Sequence, residues 1–254
     1  MSFRAIRRAV ALGLALALCV LRFWLGRLRG PYTLERRALW LQQAARGILA
    51  SLGIHYRVEG RPPTHGLVVS NHLSYLDILI LSAAMRCFFV AKIEIGGWPY
   101  FGKAARTGGT IFIDRSSLAS AEQVSAIIAE RLELPVPVLF FPEGTSTDGS
   151  SLLRFHSRLF EPAIVAGAPV TAAAVRYVIE EGIPERDLCW FGDEPFLTHL
   201  LKTLGTPGFT AEVQFGEPHV YPHRRVAADG THAEITAMRE GDRCHEAEEA
   251  MQGI

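Results

Sequence analysis

The chain opens on an apolar run, Ala9 to Leu21, written AVALGLALALCVL, with arginines on both sides. Arg22 interrupts it, and Phe23-Trp24-Leu25-Gly26 extends it by a few positions. A full membrane crossing needs about 20 mostly apolar residues. Three readings fit. One is a cleaved signal segment, which has the short Arg-flanked core but no small-x-small cleavage site after it. Another is a single span with Arg22 reaching back to the interface. The third is a helix that enters the bilayer only shallowly. Arginines on both flanks give no orientation. From Thr33 to Leu52 the period becomes helical: Leu34, Ala38, Leu41, Ala45, Ile48 and Leu52 share one face. Thr33 can cap this helix and Gly53 can end it. A core helix and an interfacial helix share this pattern. Placed beside the first segment, it predicts a two-helix membrane-associating unit over residues 1–54.

From Ile54 the rhythm changes again. IHYRVE alternates like a strand, GLVVS reads as a short buried strand and YLDILILSAAM as a helix. CFFVA and GTIFID are strands, followed by the amphipathic helix SSLASAEQVSAIIAERLE, capped by Ser116 or Ser117. VPVLFF, PVTAAAVRYVI and FTAEVQFGEP complete the strand set. Strands interleaved with helices predict a single α/β domain over 55–225 with a mixed, largely parallel sheet flanked by helices. Residues 226–254 are polar, with a helical stretch near His232 to Arg239, and read as a loosely held tail.

Charge and cysteine usage narrow the function classes. The 26 basic and 26 acidic side chains cancel, so no global field draws the chain to nucleic acid. The first 37 residues hold Arg4, Arg7, Arg8, Arg22, Arg27, Arg29, Arg36 and Arg37 against Glu35 alone. A segment both cationic and apolar suits an anionic membrane surface. The cysteines at 19, 87, 189 and 244 stand alone, so neither a zinc ribbon nor a dithiol motif is indicated, and isolated thiols fit a reducing compartment.

The candidate chemistry begins at Ser70-Asn71-His72-Leu73-Ser74-Tyr75-Leu76-Asp77, between two apolar runs. On one helix, His72 and Asp77 would stand roughly 140° apart and never meet. They can meet if His72 lies in the loop, with Ser74 at the helix N-cap and Asp77 in the first turn, at the capping-box offset. Such a Ser-x-x-Asp needs no chemistry, since it starts many helices. Its functional reading is a carboxylate–imidazole dyad, with Asp77 fixing the tautomer and His72 taking a proton. No G-x-S-x-G elbow is present, so the base would act directly on a substrate hydroxyl, without an acyl-enzyme. FFPEGTSTDG, Phe140 to Gly149, follows a strand: Gly144 lets the backbone turn, Thr145 and the loop amides can donate to an anion, and Glu143 can accept from a hydroxyl or hold a cation. GGTIFIDR ends on Arg115, either a solvated strand cap or a bidentate phosphate ligand. All three stretches sit at strand ends, where α/β ligand sites form.

Together these stretches resemble the glycerolipid acyltransferase family, and most closely the bacterial PlsC-like 1-acyl-glycerol-3-phosphate acyltransferases. The family's N-H-x-S-x-x-D block matches Asn71, His72, Ser74 and Asp77. Its G-x-I-F-I-x-R block matches Gly109, Ile111, Phe112, Ile113 and Arg115, and F-P-E-G-T matches Phe141 to Thr145. GAPVTAAAV and FVAKIEI, the latter with Lys92 and Glu94, look like family sequence too. The resemblance covers about residues 55–180. It implies His72 and Asp77 as catalytic residues, with Arg115, Glu143, Gly144, Thr145, Lys92, Asn71 and Ser74 binding substrate and no metal. It implies acyl-CoA or acyl-carrier protein as co-substrate, no further cofactor, and a membrane lipid as acceptor. The expected place is the cytoplasmic face of a bacterial inner membrane, reached through the N-terminal helices. The family usually has Arg after F-P-E-G-T, whereas here it is Ser146. If that Arg helps hold the acceptor's phosphate, Arg115, Lys92, Lys103 or Arg154 must compensate, or the head group differs. The leading acceptor is lysophosphatidate, with a lyso-ornithine lipid as the alternative. A membrane-bound thioesterase or hydrolase and a non-catalytic lipid-binding protein are the competing classes.

Overall fold

The computed structural model describes residues 2–98, 101–114, 118–179 and 182–252, with backbone only for 118–121 and 242–252. Its elements run α1 (Phe3–Leu28), α2 (Leu34–Leu52), β1 (Ile54–Glu59), β2 (Leu67–Ser70), α3 (Leu76–Ala84), β3 (Phe88–Lys92), α4 (Ile93–Gly96), α5 (Phe101–Gly108) and β4 (Ile111–Ile113). They continue with α6 (Leu118–Leu132), β5 (Val138–Phe140), α7 (Glu161–Val165), β6 (Val170–Val178), α8 (Phe196–Gly205), β7 (Phe209–Phe215) and α9 (Arg224–Gln252).

Seven strands form one sheet in the order β1-β7-β6-β2-β5-β3-β4. All neighbouring pairs are parallel except β6 with β7. The expected mixed, largely parallel sheet is what forms. The central strands β2 and β6 are buried along almost their whole length, as strands covered on both faces must be. Side-chain alternation divides the core in two. Val68, Leu139, Ala173 and Val175 face Leu49, Leu76, Ile80 and Leu204 from α2, α3 and α8. Leu67, Val69, Phe140 and Ala172 face Ile128, Ala163, Ala227 and Ile235 from α6, α7 and α9.

Two expectations are corrected. The second helix of the N-terminal pair does not turn its apolar stripe outward. Ala38, Ala45, Leu49 and Leu52 of α2 are buried, and the helix packs along α3, so its apolar stripe is a core face. Thr33 caps it, accepting from the Arg36 N–H at 3.4 Å, and Gly53 ends it at φ +70°. A Cβ on Gly53 would lie 2.1 Å from the Arg8 guanidinium, so that position needs both the left-handed backbone and the missing side chain. Among the described residues only α1 is long and apolar enough to cross a membrane. Phe3, Ile6, Val10, Leu14, Val20, Trp24 and Leu28 stand exposed along it. It is fastened to the body by Arg8, which donates to the Thr206 and Pro207 carbonyls at 2.5 and 3.1 Å, and by the Trp40 indole, which donates to the Cys19 carbonyl at 2.9 Å.

The second correction concerns the tail. The chain from 226 is not loosely held over its first half. Ala227, Ala228, Thr231, Ile235 and Arg239 of α9 are buried against the sheet. Small residues at helical spacing let α9 lie close to β6. The capping residues expected for α6, Ser116 and Ser117, lie outside the described residues.

Candidate active site

The parallel strands β2, β5, β3 and β4 all end on one edge of the sheet. That edge gathers Asn71-His72 after β2, Phe141 to Thr145 after β5, Lys92 at the end of β3 and Asp114 after β4. At a strand spacing of about 4.8 Å, Lys92 and Asp114 stand roughly two and three strands from β2. Arg115, expected to bind phosphate, lies outside the described residues.

His72 and Asp77 meet. The His72 Nδ1 is 2.8 Å from Asp77 Oδ2. The same oxygen accepts the N–H groups of Leu73 and Ser74 at 2.7 and 2.9 Å. Helix capping and chemistry, alternatives on paper, are therefore served by one carboxylate. The N-cap falls on Tyr75, one residue later than expected, and the Ser74 hydroxyl accepts from the Leu76 N–H at 3.3 Å. Asp77 is fully buried, while the His72 side chain keeps 18% of its surface. A carboxylate already holding two N–H donors can only accept, so Nδ1 carries the proton and Nε2 presents a lone pair. No described residue bonds Nε2. Phe141 stacks flat on the imidazole, with centroids 3.9 Å apart and planes 10° from parallel.

The other expected site residues divide into two groups. Asn71, Ser74 and Glu143, expected as substrate contacts, are buried and bonded within the chain. The Asn71 amide donates to the Val175 carbonyl at 3.0 Å and accepts from the Val175 N–H at 2.8 Å, clamping the end of β2 to β6. Glu143 is 3% exposed. Its two oxygens accept the His72 N–H at 2.8 Å and the Leu153 N–H at 2.9 Å. Burial raises its carboxyl above the usual range, and those two N–H bonds pull in the opposite direction. Thr145 and Lys92 are exposed, and Gly144, at φ +80°, turns the loop outward. Lys103 and Arg154, the possible stand-ins for the missing arginine, are exposed as well.

Oxyanion donors near His72 or Gly144 are mostly spoken for. The amides of residues 72 to 74 serve the two carboxylates, the Gly144 N–H goes to Phe141 O at 3.1 Å, and the Thr147 N–H to His72 O at 2.9 Å. The Thr145 and Ser146 N–H groups are bonded to no described residue.

Two contributors went unseen in the sequence. The Tyr177 hydroxyl donates to Asp77 Oδ1. An aromatic bank of Tyr75, Trp98, Trp190 and Phe196 lies beside the helix start, with centroids 4.8 to 6.4 Å apart. Behind it the buried His199 bonds Tyr75 and the Leu188 carbonyl at 3.1 and 3.2 Å.

Known proteins resemble this chain. A family model described as Acyltransferase matches residues 54–176. A lyso-ornithine lipid O-acyltransferase from Rhodobacter capsulatus is 39% identical over 196 residues, covering 74% of this chain and 71% of that one. A 1-acyl-sn-glycerol-3-phosphate acyltransferase from Neisseria meningitidis is 41% identical over 178 residues, 65% of this chain and 68% of that one. A lyso-ornithine lipid O-acyltransferase from Pseudomonas aeruginosa is 36% identical over 215 residues, 82% and 80% of the two chains. The crystal structure of the 1-acyl-sn-glycerophosphate acyltransferase PlsC from Thermotoga maritima superposes with a TM-score of 0.65, at 18% identity, over 95% of this chain and 98% of that one, a likeness of fold. The expected resemblance holds: the chain belongs to the acyltransferase family and is an O-acyltransferase of lipid metabolism.

Proposed function

We propose that His72 removes the proton from a free hydroxyl of a lyso-lipid, and that the resulting alkoxide attacks the thioester carbonyl of an acyl-CoA or acyl-carrier protein. The thiol leaves and a new ester remains, with no acyl-enzyme between. The observation that carries this reading is the Nε2 of His72, which no described residue bonds, with Nδ1 held 2.8 Å from a buried carboxylate. Asp77 stabilises the imidazolium as the proton arrives. The Thr145 and Ser146 amides offer donors for the oxyanion. Lys92 and Thr145 attract an anionic or zwitterionic head group, and Arg115, outside the described residues, is the phosphate ligand expected from the sequence. The exposed apolar length of α1 holds this edge at the inner face of a bacterial membrane, where a lipid acceptor and a soluble donor meet.

Two acceptors fit, and each has an observation behind it. Lyso-ornithine lipid is favoured by Ser146, where the family usually carries an arginine, and by relatives of that name that align over 74 and 82% of the chain. Lysophosphatidate is favoured by a relative that is 41% identical over a shorter stretch. The deciding experiment supplies labelled long-chain acyl-CoA to the purified full chain in detergent, with both lyso-lipids in parallel and His72→Ala as control. Ornithine lipid or phosphatidate formed only by the parent chain assigns the acceptor. Substantial turnover by His72→Ala would sink the assignment of the base.

A further inference from the structure

Asp77 has two oxygens, and the dyad uses one. Oδ2 faces His72 and two backbone N–H groups. Oδ1 takes one bond, from the hydroxyl of Tyr177 on β6, a residue 100 positions away and outside all the family blocks noted above. Tyr177 is 3% exposed, and its ring packs on Phe209 of β7 with centroids 4.9 Å apart.

We propose that Tyr177 is a positioning residue of the transfer reaction: it fixes the Asp77 carboxylate so that Oδ2 faces His72, and it draws part of the negative charge away from the imidazole. This rests on the reading of His72 as the base. A carboxylate held only at Oδ2 could swing about its Cβ–Cγ bond. A donor on each oxygen removes that freedom, and a charge-assisted bond in a dry site is among the strongest a side chain makes.

The phenol is itself braced. The Tyr177 N–H donates to Glu185 Oε1 at 2.9 Å, within the 3-10 turn Glu185–Leu188. Arg239 of α9 donates to Glu185 Oε2 at 2.7 Å and to the Gly149 carbonyl at 2.8 Å, and also bonds the Val175 carbonyl. The part of the chain read from sequence as a tail thus holds both the loop after F-P-E-G-T and the strand that carries Tyr177. The charged and titratable groups around the phenol are Asp77 on α3, Cys189 and Glu185 after β6, and Arg239 through Glu185. Burial first, and the Asp77 charge next, hold the phenol well above its ordinary titration range, so it remains a donor at every working pH.

The test uses the full chain with labelled acyl-CoA and whichever lyso-lipid it turns over. Tyr177→Phe lowers kcat by about tenfold to a hundredfold, with KM for both substrates changed less than about threefold. With the phenol gone, more of the carboxylate charge falls on the imidazole, so the acid limb of the kcat/KM profile moves to higher pH. Replacing Tyr177 with fluorotyrosines of graded acidity keeps the shape and strengthens the donor, and the limb then moves stepwise to lower pH. This series decides the matter even if the phenylalanine variant folds poorly. An unmoved limb across the series, or full kcat in Tyr177→Phe, overturns the proposal. If His72→Ala is inactive at the same time, only the role of Tyr177 has failed. If His72→Ala is active, the assignment of the base has failed first.

Discussion

Glu143 and His72 are joined by one bond, from the His72 N–H to the buried carboxylate at 2.8 Å, across 71 residues of chain. The second oxygen of Glu143 holds Leu153. One side chain therefore ties the loop that carries His72 to the loop that carries Leu153. Glu143→Gln keeps the volume but turns an NH2 group toward one of the two N–H donors. A lost bond to a charged acceptor, with a buried N–H left over, costs about 2–4 kcal/mol. The expected result is a lower denaturation midpoint and a fall in kcat of at least tenfold, with KM nearly constant. Denaturant titration beside initial-rate kinetics checks it. Unchanged kcat in a folded variant would return Glu143 to the role of a ligand contact.

Asn71 offers a cleaner stability test. Asn71→Ala removes both bonds to Val175 and leaves a buried N–H and carbonyl, although that carbonyl keeps Arg239. The loss expected in urea is about 2–4 kcal/mol. Asn71→Asp retains the acceptor for the Val175 N–H and loses the donor, so its buried charge makes it no better than alanine above the carboxylate titration range.

Ser146 sits where the family usually carries an arginine. Ser146→Arg adds a bidentate cation beside the exposed Thr145. The kcat/KM ratio of lysophosphatidate to lyso-ornithine lipid is expected to rise about tenfold. Competition between the two acceptors in one tube measures it directly. An unchanged ratio places the head group away from this loop.

His199 predicts how acid affects the fold. Burial holds its imidazole below the ordinary 6.5, against weaker opposing contributions from Glu194 and the Leu188 carbonyl. A depressed value means the folded state favours the neutral ring. The stability it supplies is therefore present above 6.5 and is lost as pH falls through the folded value. Melting temperature of the parent should drop more steeply between pH 7 and 5 than that of His199→Gln, roughly as the linkage of one proton requires. Parallel curves for the two proteins would contradict it.

The strand ends and their chemistry were legible because they are local. Alternation marked β1 and β7, short apolar runs marked β2, β3 and β5, and a Ser-x-x-Asp offset placed Asp77 in the first helical turn beside His72. What stayed hidden was long-range. An amphipathic stripe looks the same whether it meets lipid or protein, so nothing local told α2 apart from a membrane helix. Tyr177 and Arg239 reach the site only after β6 pairs with β2 and α9 crosses it, and no spacing encodes that. Asn71 and Glu143 carried the right chemistry for ligand contacts. Their burial is a property of packing.

The fastening of α1 has a consequence for how the protein is made. Arg8 bonds to carbonyls 198 and 199 residues further on, and β1 finds its partner only in β7. At a synthesis rate of roughly 5–20 residues per second, Arg8 waits about 10–40 s for the carbonyls it bonds. Most apolar side chains of α1 stay exposed both before and after that docking. If α1 meets lipid as it leaves the ribosome, those side chains are covered from the start, and the rest of the enzyme closes at the membrane rather than being delivered to it.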